Sequence, residues 1–413
     1  MGESKGGGNV AGVSRRAAAF VFARWLATRE FPQTALQDGP DRAFVQDLAY
    51  TAIRRMRPLR KVLGRFVKTW PKGELEALLY IGAAQIFYMD DVPDFAAVHE
   101  TVEAAKKCSN PSVPRVVNGV LRNLLRQRDS IVALLASAPL EERESYPTEL
   151  VRRWRNRFGD DRAAELAAWH NRPAETFLAY APDATETDAE GRSVPVWRDR
   201  PRFVALPRGR RVADEPGFAE GAFIVQDPAT RHAVELLEIQ PGDRVLDACA
   251  APGGKAIQLA WRGASVTACE INPKRRKRLE ANLSRLGLNV VTVGELPPVA
   301  SGTFDKVLVD APCSNTGVLR RRPDARWNWS AERMAALVRV QAGILDAAAA
   351  RVRPGGRLVY STCSNEEEEN RLQAEAFLAR HPEFEQFASR ESIPFESGED
   401  GAFATAFVRR GQP

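Results

Sequence analysis

The sequence has no apolar run long enough to cross a bilayer, no CxxC pair and no glycine fingerprint of the GxGxxG or Walker kind. The first absence argues against a membrane-spanning protein. The second bears on five scattered cysteines, Cys108, Cys249, Cys269, Cys313 and Cys363, an odd number. Without paired spacing they suggest neither a disulfide framework nor a zinc site, and reduced thiols are expected. The third disfavours dinucleotides and nucleoside triphosphates as ligands. The opening residues, Met1 to Val10, are Gly-rich and polar and lack the apolar core of a secretory signal, so a cytoplasmic location and a disordered tail over 1–10 are expected. There is no internal repeat or sizeable low-complexity tract. No metal is expected, and a monomer is the expected state.

What is present is a globular composition, 44% hydrophobic and 27% charged, over 413 residues, a length that calls for two or three domains. The net charge of +6 leans toward a polyanionic partner. Basic residues cluster in three runs: Arg54, Arg55, Arg57, Arg60, Lys61, Arg65 and Lys68; Arg152, Arg153, Arg155 and Arg157; and Lys274 to Arg278. Any one of these also reads as a solvated helix face.

From 11 to 138 apolar residues recur at helical spacing, as in Ala18, Val21, Phe22, Trp25 and in Val117, Val120, Leu121, Leu124. Breaks fall at Phe31-Pro32, Gly39-Pro40, Trp70-Pro71, Val92-Pro93 and Asn110-Pro111. This predicts an all-α bundle, in which His99 beside Glu100 reads as structural. Residues 139–215 read as a small α+β adaptor, with a charged helix over 149–170 and a short strand over 176–180. From 216 to 413 strands and helices alternate, which predicts a doubly wound α/β domain of Rossmann-like type.

In that domain Asp247-Ala248-Cys249-Ala250-Ala251-Pro252-Gly253-Gly254-Lys255 leaves a strand and enters a helix, where doubly wound folds bind ligands. Small residues and two glycines allow close approach of a ligand to the backbone, and the helix N-terminus favours a negative group. Glu270 ends the next strand, where a carboxylate can accept from ribose hydroxyls. A ribose, an amino-acid carboxylate and no phosphate describe S-adenosylmethionine. Two further segments, Asp310-Ala311-Pro312-Cys313 and Thr362-Cys363-Ser364, follow strands on the same rim. A thiolate there suits methylation of cytosine, whose carbon 5 is a poor nucleophile. Addition at carbon 6 makes carbon 5 reactive, and a second thiol can serve the later release. Asp310 is suited to hydrogen-bond the ring as negative charge enters it. Cys249 and Cys269 read as small space-fillers.

With these residues in view the chain resembles the RsmB-type (Sun/Fmu) family of RNA cytosine-C5 methyltransferases. The motifs are Val225-Gln226-Asp227, the 247–255 loop, Asp310-Ala-Pro-Cys313-Ser-Asn-Thr-Gly317, Arg322-Pro-Asp324, and Thr362-Cys363-Ser364 followed by Glu368-Glu369-Asn370. The resemblance implies Cys363 as nucleophile, Cys313 in product release, Asp310 at the base and Lys255 in the active site. It implies Asp247, Cys249, the loop from Ala250 through Gly254 to Lys255, Glu270 and Asp310 around the cofactor. Glu295 stands where the family usually has an Asp near the adenine. The N-terminal helices resemble the NusB-type RNA-binding domain, notably Arg42 to Arg55 and Ile81 to Glu100, which implies a 16S rRNA substrate. The alternatives are tRNA or another RNA, and a non-catalytic RNA-binding scaffold. Departures fall at Thr176 to Tyr180 in the adaptor and at Asp400-Gly401-Ala402-Phe403.

Overall fold

Gly64 and Gly159 end two helices of the first half, and Gly73 and Pro93 precede two others. The computed structural model describes residues 10–38, 41–181, 185–187, 193–195, 203–207 and 209–411. The expected disordered tail falls outside these residues up to position 9, as does the Gly39-Pro40 break. The chain forms two compact units. One runs to Asn171 and includes Arg322–Asn328; the other comprises Arg172–Arg321 and Trp329–Pro413.

The first unit is helical: α1 (Val10–Thr28), α2 (Arg42–Arg54), α3 (Met56–Leu63), α4 (Glu74–Tyr88), α5 (Asp94–Ala105), α6 (Val113–Arg126), α7 (Arg128–Ala136), α8 (Leu140–Arg143), α9 (Thr148–Phe158) and α10 (Asp160–Trp169). Helix α4 is apolar over most of its circumference and is buried from Ala77 to Ile86, which makes it the central helix. At Gly82 an added Cβ would lie 2.5 Å from Leu121, so α4 and α6 pack with no room for a side chain there. Phe22 and Tyr80 meet at 4.9 Å beside Trp25, and each such fully buried ring contributes roughly 1.5–3 kcal/mol. The helix expected over 149–170 is in fact two, because Gly159 adopts φ +82, a conformation that ends α9 and starts α10.

Much of the first basic run is engaged internally. Arg55 pairs with Glu144 at 3.0 Å, Lys61 pairs with Glu142, and Arg60 lies over the Trp70 ring. Arg54 is buried, and burial lowers its pKa to about 10. Arg322-Pro323-Asp324, read in sequence with the catalytic half, clusters with this helical unit. Arg322 sits over Phe31 at 3.9 Å and pairs with buried Asp324. Arg326 donates through Nη1 to the Arg54 and Ser145 carbonyls and to Asn171 Oδ1.

The second unit starts with β1 (Thr176–Tyr180), β2 (Thr185–Thr187), β3 (Ser193–Pro195), β4 (Phe203–Leu206) and β5 (Phe223–Val225); β4-β1-β5 form a small antiparallel sheet. There follow α11 (Arg231–Leu236), β6 (Arg244–Asp247), α12 (Gly254–Trp261), β7 (Ser265–Cys269), α13 (Pro273–Arg285), β8 (Val291–Val293) and β9 (Phe304–Asp310). After α14 (Ala325–Asn328), part of the first unit, come α15 (Ala331–Ala349), β10 (Val352–Thr362), α16 (Arg371–Arg380), β11 (Phe384–Ser392), α17 (Pro394–Ser397) and β12 (Ala402–Arg409).

These strands form one seven-stranded sheet in the order β11-β12-β10-β9-β6-β7-β8. The five from β10 to β8 are parallel, and β12 and β11 close one edge antiparallel. The chain moves outward from β6 through β7 to β8, then returns to place β9 on the other side of β6. That reversal is the topological switch point at which such sheets bind ligands. The loops after β6, β9 and β10 therefore leave adjacent strand ends. Helix α16 begins only at Arg371, because Glu369 and Asn370 are drawn into the cysteine loops. Among the described residues no helix is long and apolar enough to cross a membrane.

Candidate active site

Asp247 ends β6 almost completely buried. Its Oδ1 accepts from the Cys249 amide at 3.3 Å, while its Oδ2 is buried without a partner. Burial first, then the nearby charge of Asp310, raises this carboxyl to about 7, against relief from Lys255. The loop that follows is held by the Ala250 amide on the Cys269 carbonyl, 2.9 Å, and by Gly253 at φ +112 capping α12. A Cβ at Gly254 would lie 2.7 Å from the Gln226 amide group, so any side chain there would have to push Gln226 aside. The Pro252 carbonyl accepts from Asn282, and the Ala251 carbonyl from Arg275. Burial and the neighbouring carboxylates push the Cys249 thiol up, so it stays protonated. Glu270, buried after β7, accepts the Asn272 amide on Oε1 and lies 3.4 Å from Arg275 through Oε2.

Lys255, one residue into α12, puts Nζ 2.6 Å from Asp310 Oδ2 at the end of β9. Burial opposes its charge, but Asp310 outweighs that and holds the lysine pKa above its usual value. The other Asp310 oxygen accepts from Ser361 Oγ at 2.8 Å. Both carboxylate oxygens are thus oriented by fixed donors.

Cys313 and Cys363, fifty residues apart in sequence, have their sulfurs 3.3 Å apart. The hydrogen bond to Cys363, together with burial, raises the Cys313 thiol well above its usual range. Cys313 therefore keeps its proton. Asn315, at φ +61, donates to the Cys313 carbonyl and lies 3.3 Å from Cys363 Sγ through Oδ1. A cleft of about 80 Å³ is lined by Cys363, Lys255, Asp310, Asp227, Asp400 and Phe403. Two grooves on the helical unit are larger, about 510 and 530 Å³, but neither contains a thiol or a buried carboxylate.

The structure thus gathers Asp247, Lys255, Asp310, Cys313 and Cys363, with the 249–254 loop and Glu270 on the same rim. Glu295 is apart from them in character, exposed just beyond β8.

Several residues at the site carried no role in the sequence reading. Buried Glu369 accepts from the Ser314 amide (2.9 Å), Gln341 Nε2 (3.0 Å) and the hydroxyls of Ser314 and Ser364. It thereby ties the Cys313 loop to the Cys363 loop. Asn370 does the same within the second loop, from Thr362 Oγ1 and to the Ser364 carbonyl. Gly317 donates to the Cys363 carbonyl and accepts from the Gly401 amide. Arg321 bridges Asp227 and Asp400 at 2.7 and 2.6 Å. The motif residues Asp227, Ser314, Ser364 and Glu369 were visible in sequence; Arg321 and Gln341, which bind them from outside the motifs, gave no signal there.

The parallel sheet, the ligand loop at its switch point and the thiol pair beside Lys255–Asp310 define a methyltransferase-type domain joined to a helical one. Residues 234–405 match the family model for 16S rRNA methyltransferase RsmB/F, and residues 13–126 match the NusB family. The chain is 33% identical over 399 residues to ribosomal RNA small subunit methyltransferase B of Klebsiella pneumoniae, covering 90% of each chain. It is 35% identical over 360 residues to the protein of that name from Salmonella typhi, covering 83% of each. Among solved structures it resembles PH0851, with TM-score 0.77 and 22% identity over 96% of this chain and 98% of that one. NSun6 from Pyrococcus horikoshii with SFG aligns at TM-score 0.53 and 19% identity, over 65% of this chain and all of the other. These last two likenesses show the fold. The chain belongs to the RsmB/F methyltransferase family.

Proposed function

We propose that this protein is a cytoplasmic enzyme that methylates carbon 5 of a cytosine in 16S rRNA, with Cys363 as covalent nucleophile. The observation that carries the reading is the pair of sulfurs 3.3 Å apart beside the Lys255–Asp310 pair. In this reading residues 11–138 form the RNA-binding bundle, 139–215 an adaptor and 216–413 the catalytic domain.

S-adenosylmethionine fits the rim after β6 and β7. The buried, unpartnered Asp247 Oδ2 is an acceptor that a ligand hydroxyl or amine can satisfy. Glu270 adds a second buried carboxylate, and Gly253 and Gly254 keep the loop close. When bound, this cofactor supplies an electrophilic methyl group. Glu295 is assigned the adenine side.

The remaining work falls to the chain's own residues. Cys363 forms an S–C6 bond with the cytosine, and the electron pair displaced from the C5–C6 double bond makes carbon 5 nucleophilic. Asp310, oriented by Ser361 and Lys255, hydrogen-bonds the exocyclic amine and ring edge, while the Lys255 charge stabilises the density that addition sends into the ring. Transfer of the C5 proton to solvent then returns its electron pair to the C5–C6 double bond, breaks the S–C6 bond and frees Cys363 as a thiolate. Cys313, protonated and in contact with Cys363, assists that release by hydrogen-bonding the departing sulfur.

Bisulfite sequencing of total RNA from cells with and without the gene tests the reading. One protected cytosine lost from 16S rRNA is the expected result. A loss confined to tRNA would move the substrate, and no change at any cytosine would refute the activity. With purified enzyme, Cys363→Ser should abolish turnover, and Cys313→Ser should stall with RNA covalently attached on a denaturing gel. A Cys313→Ser enzyme that cycles normally would remove its role in release.

A further inference from the structure

The basic runs conspicuous in sequence are not the barest cationic surface of the helical unit. Much of the 54–68 run is paired, and Arg152 and Arg155 face Glu149, Glu141 and Asp160. Helix α6 differs. Its sequence, VPRVVNGVLRNLLR, contains no acid, and Val117, Leu121 and Leu124 bury its other face. Arg115, Arg122 and Arg126 are exposed at spacings of seven and four, which puts Arg122 and Arg126 about 20° to either side of Arg115 on one stripe. None of the three is paired with a carboxylate among the described residues. Arg122 and Arg126 donate only to the neutral Asn118 and Asn123.

Beside this stripe runs a groove of about 530 Å³ between α5 and α6. Its floor is Val98 and Leu125, and its rim carries Asn118, Arg122 and Arg126. Its other wall is Phe95, 77% exposed in the first turn of α5. That ring is stacked on His99, with centroids 5.3 Å apart and planes at 18°. The imidazole is itself steadied at its edges by Glu100 and Glu103, so Phe95 is backed by a fixed ring and its other face is free. Asp94, the acid nearest the groove mouth, is matched by two bonds from Arg128. An aromatic ring this exposed has no packing role within the bundle. A flat apolar face flanked by unpaired arginines matches the needs of an unpaired nucleobase and its phosphates.

We propose that the α5–α6 groove binds single-stranded RNA, with one base stacked on Phe95 and the phosphate chain following Arg115, Arg122 and Arg126. Three arginines along about 16 Å of helix suit a strand running parallel to α6. A duplex presents no free base face to Phe95, so the surface selects unpaired RNA. The proposal rests on the RNA-methyltransferase reading and names where that RNA is held away from the chemistry.

The test uses the full chain and a fifteen-nucleotide RNA without self-complementarity, carrying one 2-aminopurine, with the same strand annealed to its complement as control. Phe95→Leu, an exposed site whose change should leave the melting temperature alone, is expected to weaken single-strand binding roughly five- to 150-fold. It should also abolish the stacking quench of 2-aminopurine. The double variant Arg122→Gln, Arg126→Gln should lower the slope of log K against log salt by about 1.4. Duplex affinity should change little with Phe95→Leu. Wild-type affinity and quenching in Phe95→Leu would overturn the proposal, and is the result if the groove instead takes a protein. The two readings fail separately. If the wild type methylates rRNA and Phe95→Leu binds RNA normally, the groove is wrong and the enzyme reading stands. If Phe95 governs RNA binding but the wild type methylates nothing, the groove stands and the catalytic reading falls.

Discussion

Glu369 joins the two cysteine loops through four accepted hydrogen bonds, so its replacement tests the construction of the site numerically. Two of its donors are committed: the Ser314 amide has no other role, and Gln341 Nε2 keeps only the Pro312 carbonyl if Glu369 is lost. The two serine hydroxyls can rotate and find other acceptors. In Glu369→Ala a buried amide loses its acceptor outright and a side-chain amide loses half its bonding. At about 1–3 kcal/mol for each unsatisfied group, the loss is roughly 3–4 kcal/mol. Glu369→Gln is different. Its carbonyl oxygen can face the two committed donors while its NH2 faces the hydroxyls, which turn to accept, so the cost falls to about 1–2 kcal/mol. For a unit of this size the difference of about 1–3 kcal/mol separates the melting temperatures of the two variants by roughly 2–12 °C. Differential scanning calorimetry reads the shift, and turnover on unmodified rRNA reads the function. We expect kcat to fall with KM nearly unchanged, in the same order, Ala below Gln. Equal melting temperatures for Ala and Gln, or an Ala variant within about 0.5 kcal/mol of wild type, would refute the hydrogen-bond argument.

Gly317→Ala would set a Cβ 2.4 Å from the Gly401 carbonyl and 2.9 Å from that of Cys363, backbone atoms with no freedom to yield. A drop of at least about tenfold in kcat is expected, with the far-ultraviolet circular dichroism unchanged. Asp247, raised to about 7, binds a proton in the fold that the unfolded chain releases near 4. Its contribution to stability therefore declines as pH rises from about 4 to 7 and is level above that. Asp247→Asn should flatten that slope in thermal melts across pH 5–8, and should weaken S-adenosylhomocysteine binding measured by calorimetry at pH 8. Arg326→Ala should destabilise the helical unit by about 2–4 kcal/mol, because the buried Arg54 and Ser145 carbonyls lose their donor. Arg326→Met should cost less than Ala by filling the volume, as thermal denaturation would show.

Local periodicity made the helical first half legible, and the change to alternating strands and helices announced the second. The strand ends at Asp247, Asp310 and Thr362 were readable because short apolar runs stop there at chemically distinctive residues. Helix limits failed where one residue outweighs propensity. Gly159 at φ +82 split the charged helix expected over 149–170. The assignment of Arg322–Asn328 to the helical unit was invisible, since its partners Phe31, Arg54 and Asn171 lie hundreds of residues upstream.

Sequence alone determined which chemistry was available: a phosphate-free ligand loop, a carboxylate at the next strand end, and two cysteines with an acid on one rim. Those properties depend on residue type and short spacing, which a chain displays without folding. Only the tertiary structure decided that the two sulfurs touch, that burial and this contact hold the Cys313 thiol protonated, that Glu369 holds both loops, and which arginines are left unpaired. Each of these is a contact across long sequence separation or a difference in burial, and both are set by packing rather than by neighbours in the chain.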